Sequence, residues 1–239
     1  MSDLVTEIRV QPQVPNWTDR VVWANWKRQE AYLGTLPNWK KHQVDSVGFE
    51  SLRILSKMPE PKRGSPFQCR GLVVGYVQSG KTANYTAVAA RAVDAGYRLV
   101  IVFSGIHDSL RNQTQARLEK ELIGNGINWT TLTSAVRDFQ IPLNPDGFSS
   151  AGPVLVVAKK ITPILERIDE WLGLLENGLS DVPVLIIDDE ADQASINTKR
   201  NRRDICVDED EPQDDNDAPS RTAILHLRTG ADLKGISFW

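Results

Sequence analysis

The sequence predicts an α/β protein in which a parallel sheet carries helices on both faces and follows a small, mostly helical leader. From residue 67 onward, short continuous apolar runs alternate with longer stretches of helical periodicity. Such runs indicate strands buried on both faces, joined by the helical crossovers that parallel strands require. We expect strands near 71–75, 98–103, 154–158 and 183–188, a weaker strand near 129–133, and helices near 81–95, 108–122 and 161–177.

The composition is that of an ordinary globular chain. The 239 residues are 25% charged and 41% hydrophobic, with a formal net charge of −3. A mildly acidic chain binds nucleic acid only through a local basic surface. The sequence contains no apolar run of about 18 residues and no apolar signal core, so we expect a cytoplasmic protein without a membrane span. The cysteines and histidines are scattered, which does not fit a zinc site.

Residues 1–66 differ in composition and are interpreted as a helical leader with a linker. They hold four of the seven tryptophans, Trp17, Trp23, Trp26 and Trp39. Residues 46–58 carry apolar side chains at the spacing of an amphipathic helix. We interpret the tryptophans as core rather than as a surface for stacking bases. The proline-rich stretch at 59–66 reads as the linker to a main domain over residues 67–239.

An acidic block interrupts the main domain near its end. Residues 208–217 read DEDEPQDDND, which gives seven acids in ten residues. Such a block repels itself and offers no apolar side chains to a core. We therefore expect a disordered, solvated loop near 204–219. The following segment, residues 221–239, begins like a helix.

Residues 75–82 read GYVQSGKT, a complete phosphate-binding loop (P-loop) of the pattern G-x-x-x-x-G-K-T. It stands between an apolar run and an Ala-rich helical stretch, which is the strand–loop–helix context that the motif requires. Glycines let the backbone N–H groups approach phosphates, and the helix start adds its positive dipole end. The predicted nucleotide-binding residues are Gly75, Val77, Gln78, Ser79, Gly80, Lys81 and Thr82. Lys81 would reach the β- and γ-phosphates of ATP, and the Thr82 hydroxyl would ligate Mg²⁺.

A second motif follows the apolar run that ends near residue 188. Asp189, Glu190, Ala191 and Asp192 spell a D-E-A-D box. Nucleotide hydrolysis needs one carboxylate for the metal and another to orient and deprotonate water. We assign Asp189 to Mg²⁺ and Glu190, with Lys81, to catalysis. Asp188 competes for the metal role, because the sequence does not fix which side chains of the strand share a face.

With both motifs, the chain resembles the first RecA-like lobe of superfamily-two helicases. Residues 71–118 and 182–198 are more closely similar to the Z-one domain family, whose members are often labelled endonucleases and are encoded among bacterial restriction and phage-defence genes. The resemblance covers residues 45–200. It implies a P-loop NTPase with a three-layer RecA-like fold that uses ATP and Mg²⁺. The sequence offers no nuclease motif in support of the endonuclease label.

The resemblance also implies a nucleic-acid-side segment at residues 104–118. The candidate contacts to DNA or RNA are Ser104, Gly105, Arg111, Gln113, Arg117 and, after the next strand, Lys159 with its neighbour Lys160. Arginine and glutamine can bond phosphate oxygens without reading sequence. A solvated amphipathic helix explains the same residues equally well.

Two features of such motors are missing from the sequence. A second lobe carrying arginine fingers is not recognisable, and neither is a coupling motif of the Thr-Ala-Thr-Pro type. We therefore expect a fragment, a split-gene product or a frameshifted remnant whose turnover needs a second lobe or a partner chain. The alternative is a nucleotide-binding module that has no turnover of its own and acts through a partner. A GTPase is disfavoured because Asn197-Thr198-Lys199-Arg200 is no Asn-Lys-x-Asp motif, and a kinase does not explain the acidic box.

Overall fold

The computed structural model describes residues 16–62, 67–74, 80–124, 129–142, 152–174, 182–189 and 222–228. The helices are α1 (Ala24–Thr35), α2 (Lys41–Leu55), α3 (Lys81–Ala95), α4 (Asp108–Leu118) and α5 (Thr162–Leu174), with a short 3-10 turn at Trp17–Arg20 and a π-helical continuation of α4 at Glu119–Ile123. The strands are β1 (Gln68–Val74), β2 (Leu99–Ser104), β3 (Thr130–Thr131), β4 (Val154–Ala158), β5 (Val184–Asp189) and β6 (Thr222–Arg228). The five expected strands and the three expected helices are all confirmed.

The six strands form one sheet in the order β1-β6-β5-β2-β4-β3. Four neighbouring strands, β5, β2, β4 and β3, are parallel, as predicted. The expected helix at the start of residues 221–239 is wrong, because residues 222–228 form β6. This strand runs antiparallel to both β1 and β5 and lies between them. In that position β6 satisfies backbone hydrogen bonds on the facing sides of two strands at once.

Helices cover the sheet on both faces. On one face, β2, β4 and β5 send Val100, Leu155 and Leu185 into a core shared with α3 and the end of α4. On the other face, the alternate residues of the same strands pack against Trp171 and its neighbours in α5. The period of two along each strand therefore separates an α3 face from an α5 face.

The leader packs on the outer side of α3. Trp26 is 2% exposed and joins Leu33, Val44 and Val47 in a cluster with two alanines of α3, Ala83 and Ala87. Alanine is suited to α3 because this helix is buried between the sheet and the leader and needs small side chains on both sides. The expected amphipathic helix exists, but α2 begins at Lys41, earlier than predicted.

Some expectations concern parts of the chain that the structure does not describe. The acidic loop near 204–219 and part of the linker at 59–66 lie outside the described residues. The division of the chain at residues 66 and 67 therefore stays a prediction. Within the described ranges, no helix combines the length and the hydropathy needed to cross a bilayer.

Candidate functional site

The predicted phosphate loop connects β1 to α3 at the carboxyl edge of the sheet. Gly75, Val77, Gln78 and Ser79 lie outside the described residues, but Gly80 and the helix start are described. Gly80 is the N-cap of α3 in the left-handed region, with φ 75° and ψ 23°. A side chain at Gly80 would be strained by this backbone conformation, although an added Cβ would meet no atom within 4 Å. Lys81 and Thr82 are the first two residues of α3, where helical N–H groups have no partner in the helix.

The alternation along β5 separates the two candidate metal carboxylates. Leu185 and Ile187 belong to the core on the α3 face, whereas Val184 and Ile186 belong to the core on the α5 face. By the same period of two, Asp189 lies on the α3 face and Asp188 on the α5 face. The predicted metal ligand Asp189 therefore shares its face with the helix that carries Thr82. Glu190, the predicted catalytic base, lies outside the described residues.

Tyr85 lies near both Thr82 and Asp189. Its side chain is 4% exposed, one turn after Thr82 in α3. Burial raises the pKa of the Tyr85 phenol well above its usual range, the negative charge of Asp189 raises it further, and the hydroxyls of Thr82 and Thr114 act in the opposite direction. The phenol is thus neutral and lies near both the Thr82 hydroxyl and the Asp189 carboxylate.

One buried hydroxyl at this edge, the Oγ of Ser104, has no hydrogen-bond partner among the described residues. Ser104 is 2% exposed and ends β2 in register with Asp189 on the neighbouring strand. A buried polar atom without a partner costs about 1–3 kcal/mol, so such atoms point to a bound water, ion or polar ligand.

The oxygen ligands at this edge suit Mg²⁺. A hydroxyl from Thr82 and a carboxylate from Asp189 are hard donors, and Mg²⁺ in nucleotide sites takes only one or two protein ligands beside waters and phosphates. No cluster of three or more His, Cys, Asp or Glu side chains exists in the described part of the chain.

Asp188 is engaged elsewhere. The Nζ of Lys160 donates to its Oδ2 at 2.6 Å, and the two side chains are only 5% and 9% exposed. Lys160 comes just after β4, so its side chain spans the end of β2 to reach β5. A carboxylate held in this buried ion pair on the α5 face is a poor competitor for a metal on the α3 face.

The structure does not bring the nucleic-acid candidates onto one accessible surface. Ser104 and Gly105 are buried, and Arg111 is 2% exposed. The guanidinium of Arg111 donates to the carbonyl oxygens of Ser134 and Ala135 at 2.9 and 3.0 Å, so it holds the turn after β3 and is not accessible to a phosphate backbone.

The other three candidates, Gln113, Arg117 and Lys159, are more exposed than Arg111. Gln113 is exposed, and Arg117 is 38% exposed while it pairs with Glu121 at 2.8 Å. Lys159 is 17% exposed and pairs with Asp108 at 2.8 Å. Gln113 and Arg117 are therefore the candidates that remain accessible in this arrangement.

Sequence reasoning missed Tyr85 and the role of Lys160. Tyr85 could have been noticed as the one aromatic residue in the Ala-rich helix, one turn after Thr82. The sequence contains no signal for the pairing of Lys160 with Asp188, because only the order of the strands brings them together.

No protein-family model matches the chain, and no match was found among curated proteins or among solved structures.

Proposed function

We propose that the chain is the ATP-binding lobe of a superfamily-two-like, nucleic-acid-dependent ATPase of a bacterial restriction or phage-defence system, related to the Z-one domain family. The observation that carries the proposal is the alternation along β5, which puts Asp189 on the same face of the sheet as α3, the helix that carries Thr82 in its first turn. The hydroxyl and the carboxylate that the two motifs assign to one Mg²⁺ are thus on the same face of the sheet, at the same edge. Parallel α/β sheets bind their ligands at this edge.

Each residue has a role that its chemistry and place support. The loop and the start of α3 offer backbone N–H groups to phosphates, and Lys81 adds a compact positive charge. Thr82 and Asp189 would hold Mg²⁺, which neutralises charge on the phosphate oxygens. Glu190, one residue beyond β5, would orient and deprotonate the attacking water. Tyr85 and Ser104 would supply neutral hydroxyls to the waters around the metal.

The partner of the proposed ATPase is DNA or RNA, together with a second RecA-like lobe or partner chain. The family resemblance is the basis for this part of the proposal. The exposed Gln113 and partly exposed Arg117 support it by offering two phosphate-binding side chains on α4. Their contribution would be independent of base sequence, since they would contact the backbone.

Calorimetry with ATP and Mg²⁺ tests the proposal. Lys81→Ala should lose measurable ATP binding, because the cation nearest the phosphates is removed. Lys41→Ala is a suitable control, since the Lys41 side chain is 87% exposed on α2 and belongs to no proposed site. Equal ATP affinity in the wild type and Lys81→Ala would refute the phosphate-loop assignment.

The nucleic-acid part needs a separate measurement. ATP turnover should be compared with no polymer, with DNA and with RNA, in the presence and absence of a separately expressed second RecA-like lobe. Stimulation by one polymer identifies the partner class. Binding of ATP without stimulation under any of these conditions would favour a nucleotide-binding module that acts through another protein.

A further inference from the structure

Lys160 ties together the ends of three strands at the carboxyl edge. Its backbone N–H donates to the carbonyl oxygen of Gly105, just beyond β2, at 2.8 Å. Its Nζ donates to Asp188 Oδ2, in β5, at 2.6 Å. Since Lys160 itself follows β4, one residue joins β4, β2 and β5 at the point where the strands end.

The ion pair is not explained by stability alone. Burying two charges costs several kcal/mol per ion before their attraction compensates, and apolar residues of similar volume often do as well or better. The four residues before Asp188 in β5 are all apolar and buried. Apolar residues at both position 160 and position 188 would fill this space at no greater cost, which points to a role for the ion pair in positioning.

The residue that follows Asp188 is the proposed metal ligand. Asp189 is the last residue of β5, and its Cα is in register with that of Ser104. A strand end frays unless something fixes it. The hydrogen bond from Lys160 fixes Asp188 on the α5 face of this strand end. The next residue, Asp189, lies on the α3 face.

We propose that Lys160 is a positioning residue for the metal site, which acts through Asp188 to fix the end of β5 and thereby orient Asp189 toward the start of α3. The inference rests on the proposed function, because it presupposes that Asp189 holds Mg²⁺ with bound ATP. The two adjacent carboxylates then have different roles: Asp188 fixes the end of the strand, and Asp189 is the metal ligand.

The test is the Mg²⁺ dependence of ATP binding. Calorimetry gives the dissociation constant of ATP in excess EDTA and in saturating Mg²⁺. The first constant divided by the second is a ratio that measures how much the metal strengthens ATP binding. Lys160→Met should lower this ratio about 10-fold or more, as loss of residues that orient metal ligands usually does. Its affinity for ATP in EDTA should stay within about twofold of the wild type, since the phosphate loop is unchanged.

Four further variants separate positioning from mere packing. Lys160→Arg should keep most of the ratio, because a guanidinium can still donate to Asp188. Asp188→Asn should also keep most of it, because an amide oxygen still accepts from Lys160, whereas Asp189→Asn should lose it. Lys41→Met, on an exposed face of α2, should match the wild type. An unchanged ratio in Lys160→Met, or equal losses in Asp188→Asn and Asp189→Asn, would overturn the inference.

A double variant covers the case in which Lys160→Met does not fold. Lys160→Met with Asp188→Leu leaves no unpaired buried charge and should fold. Its ratio should remain low, because the side-chain hydrogen bond from Lys160 no longer fixes the α5 side of the strand end. A ratio restored to the wild-type value would show that an unpaired charge alone harmed the single variant, and the inference would be wrong. If the wild type itself binds no ATP, the proposed function fails. If the wild type binds Mg-ATP and Lys160→Met has the same ratio as Lys160→Arg and Lys41→Met, only this inference fails.

Discussion

The carboxylate of Asp94, near the end of α3, caps the start of α1. Its Oδ1 accepts from the backbone N–H of Asn25 at 2.8 Å and its Oδ2 from that of Trp26 at 3.0 Å. These are unsatisfied donors of the first turn, and Trp23 at the N-cap provides no side-chain cap. The first helix of the leader therefore receives its cap from α3, the helix that follows the predicted phosphate loop.

We expect Asp94→Ala to lower the free energy of unfolding by about 1–2 kcal/mol, which is the usual cost of losing a helix cap. Urea denaturation measures this change. Asp45→Ala is the control, because Asp45 is 56% exposed and its ion pair with Lys41 on α2 should contribute less than about 1 kcal/mol. An equal loss of unfolding free energy in both variants would show that the capping hydrogen bonds of Asp94 contribute no more stability than an exposed surface ion pair.

The stability contributed by Asp94 should depend on pH. Burial raises the pKa of the Asp94 carboxyl above its ordinary value of 3.8, against the opposing effects of the bonds from Asn25 and Trp26 and the charge of Arg91. The folded state thus holds this proton more tightly than the unfolded state. Asp94 contributes most stability below the pKa of the unfolded chain, and the contribution is lost as pH rises through the folded pKa.

Comparison with Asp94→Asn isolates this effect, because the amide does not titrate. As pH is lowered from about 7 to about 4, the wild type should gain stability relative to Asp94→Asn. Urea denaturation of both proteins at several pH values measures the difference. A difference that stays constant, or that changes in the opposite direction, would contradict a raised pKa.

Gly48 and Gly34 should respond in opposite ways to alanine. A Cβ on Gly48, in α2, would come within 2.9 Å of Cζ2 in the buried ring of Trp26, whereas a Cβ on Gly34, in α1, would meet nothing within 4 Å. Gly48→Ala should therefore destabilise the protein by about 1–3 kcal/mol through overpacking. Gly34→Ala should stabilise it by up to about 1 kcal/mol through helix propensity. Thermal and urea unfolding of both variants check the signs, and a stabilising Gly48→Ala would mean that Trp26 can move aside.

The parts of the fold that sequence could predict are those with a local signal. The apolar run of β5 and the Ala-rich stretch of α3 are both visible in the local sequence, so the predicted bounds of both elements agree with the structure within a residue or two. β6 carries no such signal, because its place between β1 and β5 is set by pairing with strands distant in the chain.

The same distinction applies to the candidate site. The two motifs name Lys81, Thr82 and Asp189 as candidates, and the faces of the sheet favour Asp189 over Asp188 as the proposed metal ligand. Arg111 is a reasonable nucleic-acid candidate from sequence, because the position of an arginine in a helix does not reveal whether its side chain is buried or solvated. Its actual partners are carbonyl oxygens of the turn after β3, which no local pattern reveals.

Glu190→Gln should keep Mg-ATP binding and lose any hydrolysis, because the amide cannot take the proton of the attacking water. Asp189→Asn should instead weaken the Mg²⁺ dependence of binding. Calorimetry and a phosphate-release assay on both variants separate the two roles. Loss of Mg-ATP binding in Glu190→Gln would mean that Glu190 holds the metal and that the roles of the two acids were assigned in the wrong order.

The 239-residue chain alone should bind ATP but turn it over very slowly. The transition state of phosphoryl transfer spreads negative charge over the γ-phosphoryl oxygens, and an arginine finger supplied from elsewhere is worth about 10³–10⁵ in rate. Among the candidate cations of the described chain, Arg111 is buried in a structural role and Arg117 is paired with Glu121. DNA or RNA alone should therefore stimulate turnover little, and addition of a second lobe or partner chain should restore it. Brisk DNA-stimulated hydrolysis by the purified chain would refute this expectation, and Arg202 and Arg221, which lie outside the described residues, would be the first arginines to replace in search of the finger.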